Sequence, residues 1–348
     1  MNSHKSPIME KVPDKSRKTL RPVPLAAAGL TLLLLLFLIS IMTGAAKLPL
    51  KTVTDAFLAF QEGNSAHLLV RDMRVPRALA AICVGAALAV SGAIMQGVTR
   101  NPLADSGLMG LSAGAGLFLA VTLVFFQGAS YSLIVLLTFL GSACGAGLVI
   151  LISRMVPGGN PAMKLVLAGA AVSTLFSAIS QSIAIVAGAS QNLLFWTMGN
   201  VSGTSGDQLK IAAPVILISV ILAILLSRQI SILSMGEEMA KALGVNTKIT
   251  RAIAALLVIV LSGTSFALCG SITFVGIMIP HFARFLTGAD YRRIIPLSAC
   301  FGAVLVTGAD ILAKTVNSPS ELPLGAVISC VGVIVFLYFA SKERRKAE

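Results

Sequence analysis

The chain has 348 residues, of which 56% are hydrophobic and only 12% are charged. Together with a mean hydropathy of +0.91, this composition excludes an ordinary soluble globular protein. The formal net charge of +13 would suggest a nucleic-acid partner in a soluble protein, so the placement of the basic residues decides what it means.

Ten long apolar segments follow one another along the chain, and nearly all charged residues lie between them. A hydrocarbon core about 30 Å thick needs roughly 20 apolar residues per helix, and inside it every backbone group must be satisfied internally. The sequence therefore predicts an all-α, polytopic helical membrane protein with about ten transmembrane helices. The predicted spans are 24–46, 77–98, 106–127, 131–153, 165–189, 211–228, 252–270, 272–286, 296–314 and 323–341.

The basic residues indicate the orientation of these spans. With the N-terminus in the cytoplasm, 20 of the 27 Lys and Arg residues fall on the inside and seven on the outside, as the positive-inside rule expects. We therefore expect both termini in the cytoplasm, a membrane-lipid environment and no nucleic-acid partner. The predicted organisation is a basic tail at 1–21, a transmembrane domain at 22–341 and a second basic tail at 342–348. The first apolar segment exceeds the roughly 7–15 residues of a signal-peptide core, so we interpret it as an uncleaved span.

Three connections between the predicted spans are distinctive. Residues 47–76 and 189–210 are predicted to lie outside, and Trp196 in the second of these suits a membrane interface. Residues 228–251 form the longest polar cytoplasmic stretch apart from the N-terminal tail. This stretch predicts one or two short helices that end at Gly244, a residue type common at helix C-termini.

Two patterns bear on how the spans pack. Arg77–Ala81 (RALAA) and Arg251–Ala255 (RAIAA) open two spans five apart, and a Ser-Gly pair follows each, which suggests a possible inverted internal repeat. Chance similarity between alanine-rich helices is the alternative. Glycines four residues apart predict close helix packing, as in Gly110 with Gly114 and Gly141 with Gly145.

The chemistry-bearing residues indicate no catalytic centre. The five cysteines are scattered through apolar segments, and His281 has no His, Cys or Glu at ligand spacing, so we expect no disulfide framework, metal site or cofactor. Asp310 is the acid that falls clearly within a span, and Lys314 stands four residues later, close enough on a helix to pair with it. Ion-coupled carriers usually need more ionisable groups along their pathway. The chain also has no G-x-x-x-x-G-K-[ST] phosphate loop, so a transport function requires a separate energy-supplying subunit.

Three segments carry a resemblance to a known family: residues 74–116, which begin RVPRALAAICVG, residues 270–296, and residues 308–332. They resemble the FecCD-like permeases of binding-protein-dependent ABC importers for iron–siderophores, haem and vitamin B12. This resemblance implies ten transmembrane helices, a second permease copy or paralogue, two ATPase subunits and an extracytoplasmic substrate-binding protein. It also implies a location in the bacterial inner (cytoplasmic) membrane, as a multi-pass subunit without enzymatic activity of its own.

The resemblance assigns roles to three sets of residues. Arg74 and Arg77 would receive acidic residues of the binding protein, and Lys314 stands where the family has a third basic group, with a looser contact because it lacks the planar guanidinium. The alternative for these cations is anchoring of helix ends at the interface. The coupling residues would contact the ATPase, the alternative being an ordinary amphipathic connector; they are Glu237, Glu238, Ala240, Leu243 and Gly244.

The fifth predicted span carries a mildly polar stripe at helical spacing: Ser173, Ser177, Ser180 and Gln181. By the resemblance these residues would line the translocation pathway, whereas hydrogen bonding between helices of one subunit is the alternative. The leading hypothesis is the permease half of an iron–siderophore ABC importer. A haem or cobalamin permease of the same family, an ion-coupled secondary transporter and a non-transporting membrane scaffold are the other possibilities.

Overall fold

The computed structural model describes residues 22–105, 107, 110–157 and 161–347, and the predicted tail at 1–21 lies outside them. Within the described residues no β-strand occurs. A π-helical turn at Leu69–Arg74 joins the helix Ser65–Leu68 to the helix Val75–Thr99. The helices are α1 (Pro22–Met42), α2 (Leu50–Leu58), α3 (Ser65–Leu68), α4 (Val75–Thr99), α5 (Leu111–Phe125), α6 (Tyr131–Met155), α7 (Pro161–Val186), α8 (Ser190–Met198), α9 (Gly206–Ser234), α10 (Glu237–Ala242), α11 (Thr247–Cys269), α12 (Val275–Thr287), α13 (Tyr291–Thr315) and α14 (Leu324–Ala347).

Each of the ten predicted spans corresponds to a helix, which confirms the polytopic helical fold. Seven spans in the described part of the chain are long and apolar enough to cross a membrane. In contrast, α5 and α12 have 15 and 13 residues, and at 1.5 Å per residue α12 is only about 20 Å long. These two helices are shorter than a bilayer core, a feature that apolar run length did not predict. Helix α14 continues through the predicted C-terminal tail as far as Ala347.

Helix α4 forms the centre of the bundle and packs against α9, α11, α12 and α13. Its interior positions are small, so neighbouring backbones approach closely. A Cβ at Gly92 would overlap the backbone of Gly276 in α12, and a Cβ at Gly85 would overlap that of Gly302 in α13. Such contacts replace the hydrophobic driving force that is missing between helices in lipid.

A second group of helices, α5, α6 and α7, packs beside this centre. A Cβ at Gly114 would overlap the carbonyl oxygen of Gly141, and a Cβ at Gly145 would overlap that of Gly110. The close packing predicted for these two glycine pairs is therefore confirmed. Leucines of α1 and α7 remain largely exposed, as expected for surfaces that meet lipid or another membrane subunit.

The two segments of the possible internal repeat meet at their serines. Ser262 Oγ in α11 lies 3.3 Å from Ser91 Oγ in α4, and both side chains are buried. This contact accounts for the two Ser-Gly pairs as part of the α4–α11 packing. The repeat itself stays a prediction.

Candidate functional site

The four polar residues predicted on the fifth span line one cavity of about 520 Å³. Ser173, Ser177, Ser180 and Gln181 form its α7 side, with Ser177 and Gln181 exposed and Ser180 buried. Ser180 Oγ donates to the carbonyl oxygen of Phe176 at 2.7 Å, so this hydroxyl is satisfied within α7 itself. The cavity brings the predicted pathway residues together, and their role in transport stays a prediction.

The opposite side of the cavity is built from the N-terminal end of α12. Thr273, Phe274 and Ile277 line it, and Phe274 has a left-handed backbone with a φ of 68°. Thr273 Oγ1 lies 3.2 Å from the hydroxyl of Ser329 in α14, and both residues line an adjoining cavity of about 250 Å³. Parts of the last helix therefore lie next to the main cavity.

Asp105 is a cavity residue that the sequence analysis missed. From the sequence, Asp105 was assigned to a cytoplasmic connection between two spans. In the structure it is only 7% exposed and lines the cavity. Its Oδ2 accepts a hydrogen bond from the N–H of Gly107 at 3.4 Å, and its Oδ1 occupies the space that a Cβ at Gly276 would need. Gly276 lies in the first turn of α12, where the helix dipole favours a carboxylate. The available signal was the Asn101-Pro102 motif, which ends a helix shortly before this acid.

An ionic cluster lies where α4 begins and α13 ends. Arg77 contacts Asp310 Oδ1 at 2.9 Å and Glu321 Oε1 at 2.7 Å. Lys314 Nζ lies 3.2 Å from Asp310 Oδ2 and donates to the carbonyl and hydroxyl oxygens of Ser40, both at 2.8 Å. The predicted pairing of Asp310 with Lys314 is confirmed. The outer ionic cluster, as we call Arg74, Arg77, Asp310, Lys314 and Glu321, therefore combines three cations with two carboxylates.

The cations of this cluster are less exposed than the sequence analysis expected. Arg74 is 9% exposed and donates to the carbonyl oxygens of Ile41 and Ala46, which fixes the end of α1. Lys314 is 5% exposed, and Arg77 is already paired with acids of its own chain. These partners are distant in sequence, so the motif alone suggested freely exposed cations. Docking by this cluster stays a prediction.

The segment 236–244, which we call the coupling segment, lies near the opposite end of α4. Arg100, the residue after α4, places its Nη1 4.0 Å from where a Cβ of Gly236 would be. Glu237 forms ion pairs with Lys241 at 3.1 Å and Arg251 at 2.9 Å. The hydrogen bond from Lys241 and the charge of Arg251 lower the pKa of Glu237. Glu237 therefore holds the segment to the start of α11.

The two faces of the coupling segment differ from the predicted arrangement. Ala240 was expected on the surface that contacts a partner, but it is fully buried because it packs into the permease itself. Glu238 and Gly244 are exposed, as is Leu243 at 57%. Two further exposed apolar residues were not predicted: Met239, one helical turn before Leu243, and Met235, which lies at the end of α9 and is separated from α10 by Gly236 with a φ of 131°.

No group of three or more His, Cys, Asp or Glu side chains that could hold a metal ion occurs among the described residues. All five cysteines are unpaired as disulfides. The arrangement thus combines a cavity lined by both hydroxyl-bearing and apolar residues with an ionic cluster at one end of the bundle and a short amphipathic segment at the other.

Comparisons with known proteins agree with this geometry. The family model described as the FecCD transport family matches residues 32–342. The chain is 43% identical over 330 residues to the iron(3+)-hydroxamate import system permease protein FhuB of Bacillus subtilis. This alignment covers 94% of this chain and 85% of that protein. It is 35% identical over 325 residues to the hemin transport system permease protein HmuU of Yersinia pestis, covering 90% and 95% of the two chains.

A solved structure described as a metal-chelate type ABC transporter in an inward-facing conformation matches with a TM-score of 0.79 and 27% identity. That match covers 92% of this chain and 99% of the other. The resemblance inferred from the three sequence segments is confirmed. Because the family model extends over almost all of the described helices and the relatives match nearly end to end, this chain belongs to the FecCD transport family.

Proposed function

We propose that this chain is the permease subunit of an ABC importer, moving an iron–siderophore complex that an extracytoplasmic binding protein delivers. Two separate ATPase subunits supply the energy. The observation that carries the proposal is the FecCD family match over residues 32–342. The test is uptake of a panel of ⁵⁵Fe-labelled chelates by a strain lacking this chain, with and without the chain restored. Restored uptake of at least one chelate is expected, and restoration of none would refute the proposal.

Ferric hydroxamates are the first cargo to test, because a relative that is 43% identical bears that activity in its name. Haem is the second candidate, supported by the hemin permease relative at 35% identity. The same strains are therefore also tested with ⁵⁵Fe-labelled haem and with cobalamin that carries a radioactive cobalt label. If the chain restores uptake of haem or cobalamin but of no ferric siderophore, the proposed cargo is wrong and the proposed class, an ABC importer permease, still holds.

The 520 Å³ cavity supports a pathway along α7. Its hydroxyl-rich wall offers weak polar contacts without a fixed charge on α7, which suits a bulky chelate that must move on rather than bind tightly. The exposed apolar side chains of α7, such as Leu167 and Leu175, suit contact with a second permease copy or paralogue. Ser177→Leu, which narrows the cavity and replaces a polar wall group by an apolar one, should lower uptake severalfold. Ser182→Leu, at an exposed position of α7 outside the cavity lining, is the matched control.

The outer ionic cluster supports docking of an acidic binding protein. Arg77 and Glu321 are the more exposed members of the cluster. A carboxylate of an acidic partner can therefore replace Glu321 as the ion-pair partner of the Arg77 guanidinium. Because electrostatic complementarity mainly steers association, Arg77→Gln should reduce uptake most strongly at low binding-protein concentration. Arg71→Gln, which removes a nearby cation stacked on Phe60 at 4.8 Å, is the control. Equal effects of the two variants would contradict a specific docking role.

The coupling segment supports contact with the ATPase subunits. Met235, Met239 and Leu243 expose an apolar surface outside the long apolar helices, with Glu238 and Gly244 beside it. Exposed apolar groups of this kind mark protein interfaces. Co-purification of the ATPase with the permease measures this contact, and retention of the ATPase after replacement of both methionines by Asp would argue against it.

An ion-coupled carrier is the competing class of function, and Asp105 is the observation that bears on it because this acid lines the cavity. Proteoliposomes that contain this chain alone, under a proton or sodium gradient, separate the two classes. We expect no chelate uptake until ATPase, binding protein and ATP are added. Gradient-driven uptake by the chain alone would overturn the importer proposal.

A further inference from the structure

A series of buried and half-buried polar side chains connects the cavity wall with the cytoplasmic end of the bundle. Gln96 of α4 is 1% exposed, and its Nε2 donates to the carbonyl oxygens of Gly276 at 3.1 Å and Ile277 at 3.3 Å. Its Oε1 accepts from Arg284 Nη2 at 3.0 Å. Gly276 and Ile277 lie in the first turn of α12, and Arg284 lies in its last turn. One glutamine therefore holds both ends of α12, and Ile277 is itself part of the cavity wall.

The series continues into α13 and α9. Arg284 Nη2 also donates to Tyr291 Oη at 2.8 Å. The backbone N–H of Tyr291 donates to Ser231 Oγ at 2.8 Å, and this hydroxyl donates to Asp290 Oδ1 at 2.9 Å. Ser231 lies in the last turn of α9, and only two residues separate α9 from α10. Hydrogen bonds thus lead from the cavity wall to the helix that enters the coupling segment.

The helices in this region have little room to slide past one another. A Cβ at Gly97 would overlap Ile230 of α9 and would lie 3.0 Å from the Tyr291 ring. Gln96 and Tyr291 are almost completely buried, so losing a partner would leave a polar group unsatisfied in a low-dielectric interior. The four helices α4, α9, α12 and α13 must therefore move together, or break these bonds at a cost.

We infer that Gln96, Arg284, Tyr291 and Ser231 are positioning residues that transmit movement of the coupling segment to the α12 wall of the cavity. Short α12, about 20 Å long, moves as one rigid piece because its first and last turns share Gln96 as a partner. The inference rests on the proposed function, since it requires an ATPase acting on the coupling segment. These four side chains are not among the residues that line the cavity, and each acts through the next.

The test uses the complete transporter in proteoliposomes, with this chain, its ATPase and its binding protein. ATP hydrolysis and ⁵⁵Fe-chelate import are measured in the same vesicles, and their ratio is the readout. Tyr291→Phe removes only the hydroxyl that accepts from Arg284. Gln96→Leu removes the contacts with both ends of α12. Ser298→Ala is the matched control, because Ser298 lies on α13, is fully buried, and has a hydroxyl without a hydrogen-bond partner in the described part of the chain.

We expect Tyr291→Phe to raise the ATP hydrolysed per chelate imported about tenfold, the order expected for loss of a hydrogen bond to a charged group. Gln96→Leu should do the same, and the double variant should be no worse than the stronger single one, because both act through Arg284. Arg284→Lys, which keeps the charge but lacks the Nη2 group that donates to both Gln96 and Tyr291, serves if Gln96→Leu fails to fold.

A wild-type ratio in Tyr291→Phe, or strictly additive effects in the double variant, would overturn the inference. A rise of equal size in Ser298→Ala would also overturn it, because general loosening of the core would then explain the result. The proposed function is judged separately by the wild-type complex. If that complex imports none of the ferric chelates, haem or cobalamin, the proposed function fails and the positioning role falls with it.

Discussion

Asp310 provides the sharpest test of how the outer ionic cluster is built. Its carboxylate is fully buried and lies 2.9 Å from Arg77 and 3.2 Å from Lys314, whose side chain is only 4% exposed. Asp310→Asn keeps the shape but removes the negative charge, leaving Lys314 buried without a carboxylate. Removing one partner of a buried ion pair typically costs about 3–5 kcal/mol. We expect a loss of this size in the free energy of unfolding.

The control is Asp207→Asn. Asp207 pairs with Lys210 at 2.7 Å, but this pair is exposed and screened by solvent, so the same substitution should change the free energy of unfolding far less. Denaturant titration in detergent, followed by the fluorescence of Trp196, the single tryptophan, measures both variants. Adding Lys314→Met to Asp310→Asn should recover part of the loss, because Arg77 retains Glu321. Equal losses for Asp310→Asn and Asp207→Asn would refute the view that the cluster is a buried structural unit.

Three further predictions concern packing, the coupling segment and pH. Gly114→Ala should destabilise the fold by about 1–3 kcal/mol, because the added Cβ would overlap the carbonyl oxygen of Gly141. Gly147 has open space around it, so Gly147→Ala should not destabilise the fold. Thermal unfolding compares the two variants. Leu243→Asp should weaken ATPase binding by roughly tenfold to a hundredfold, as expected for a residue that anchors an interface. The stability of the permease should change little, because Leu243 is exposed. Titration of the permease with purified ATPase measures the change in affinity. The pKa of Glu237 is lowered in the folded protein, so its ion pairs are fully formed above the ordinary pKa of 4.5 and are lost as the pH falls through the lower folded-state pKa. Amide hydrogen exchange in α10 should therefore become faster as the pH falls through that value, beyond the intrinsic effect of pH on exchange. Glu237→Gln should remove this pH dependence.

Sequence pattern predicted those features that depend on neighbouring residues. Apolar run length located a helix for each of the ten predicted spans, and spacing of four residues predicted the Asp310–Lys314 pair and close helix packing at the glycine pairs 110/114 and 141/145. These features follow from helix geometry and from the length needed to cross a bilayer. They require no knowledge of which helices are neighbours in space.

The features that were missed depend on residues far apart in the chain. Arg77 stands 233 residues from Asp310, and Gln96 stands 188 residues from Arg284. Nothing in a single sequence states that α4 lies at the centre of the bundle, so these partners could not be assigned. The inward face of Ala240 was missed for a different reason. A six-residue helix has too few turns for its apolar spacing to identify the buried side.

The placement of charge explains why this fold suits a subunit that draws energy from elsewhere. Asp310 lies within a span but is outside the residues that line the cavity, and two cations of the same chain hold its carboxylate. Asp105 does line the cavity, yet its carboxylate is pressed against Gly276 at the start of α12, where it contributes to the position of that helix. A carrier that moves ions needs groups that change partners along its pathway. Here Asp310 and Asp105 are both committed to helix packing, so these acids are held in place rather than free to change partners, which fits our proposal that the energy for transport comes from separate ATPase subunits.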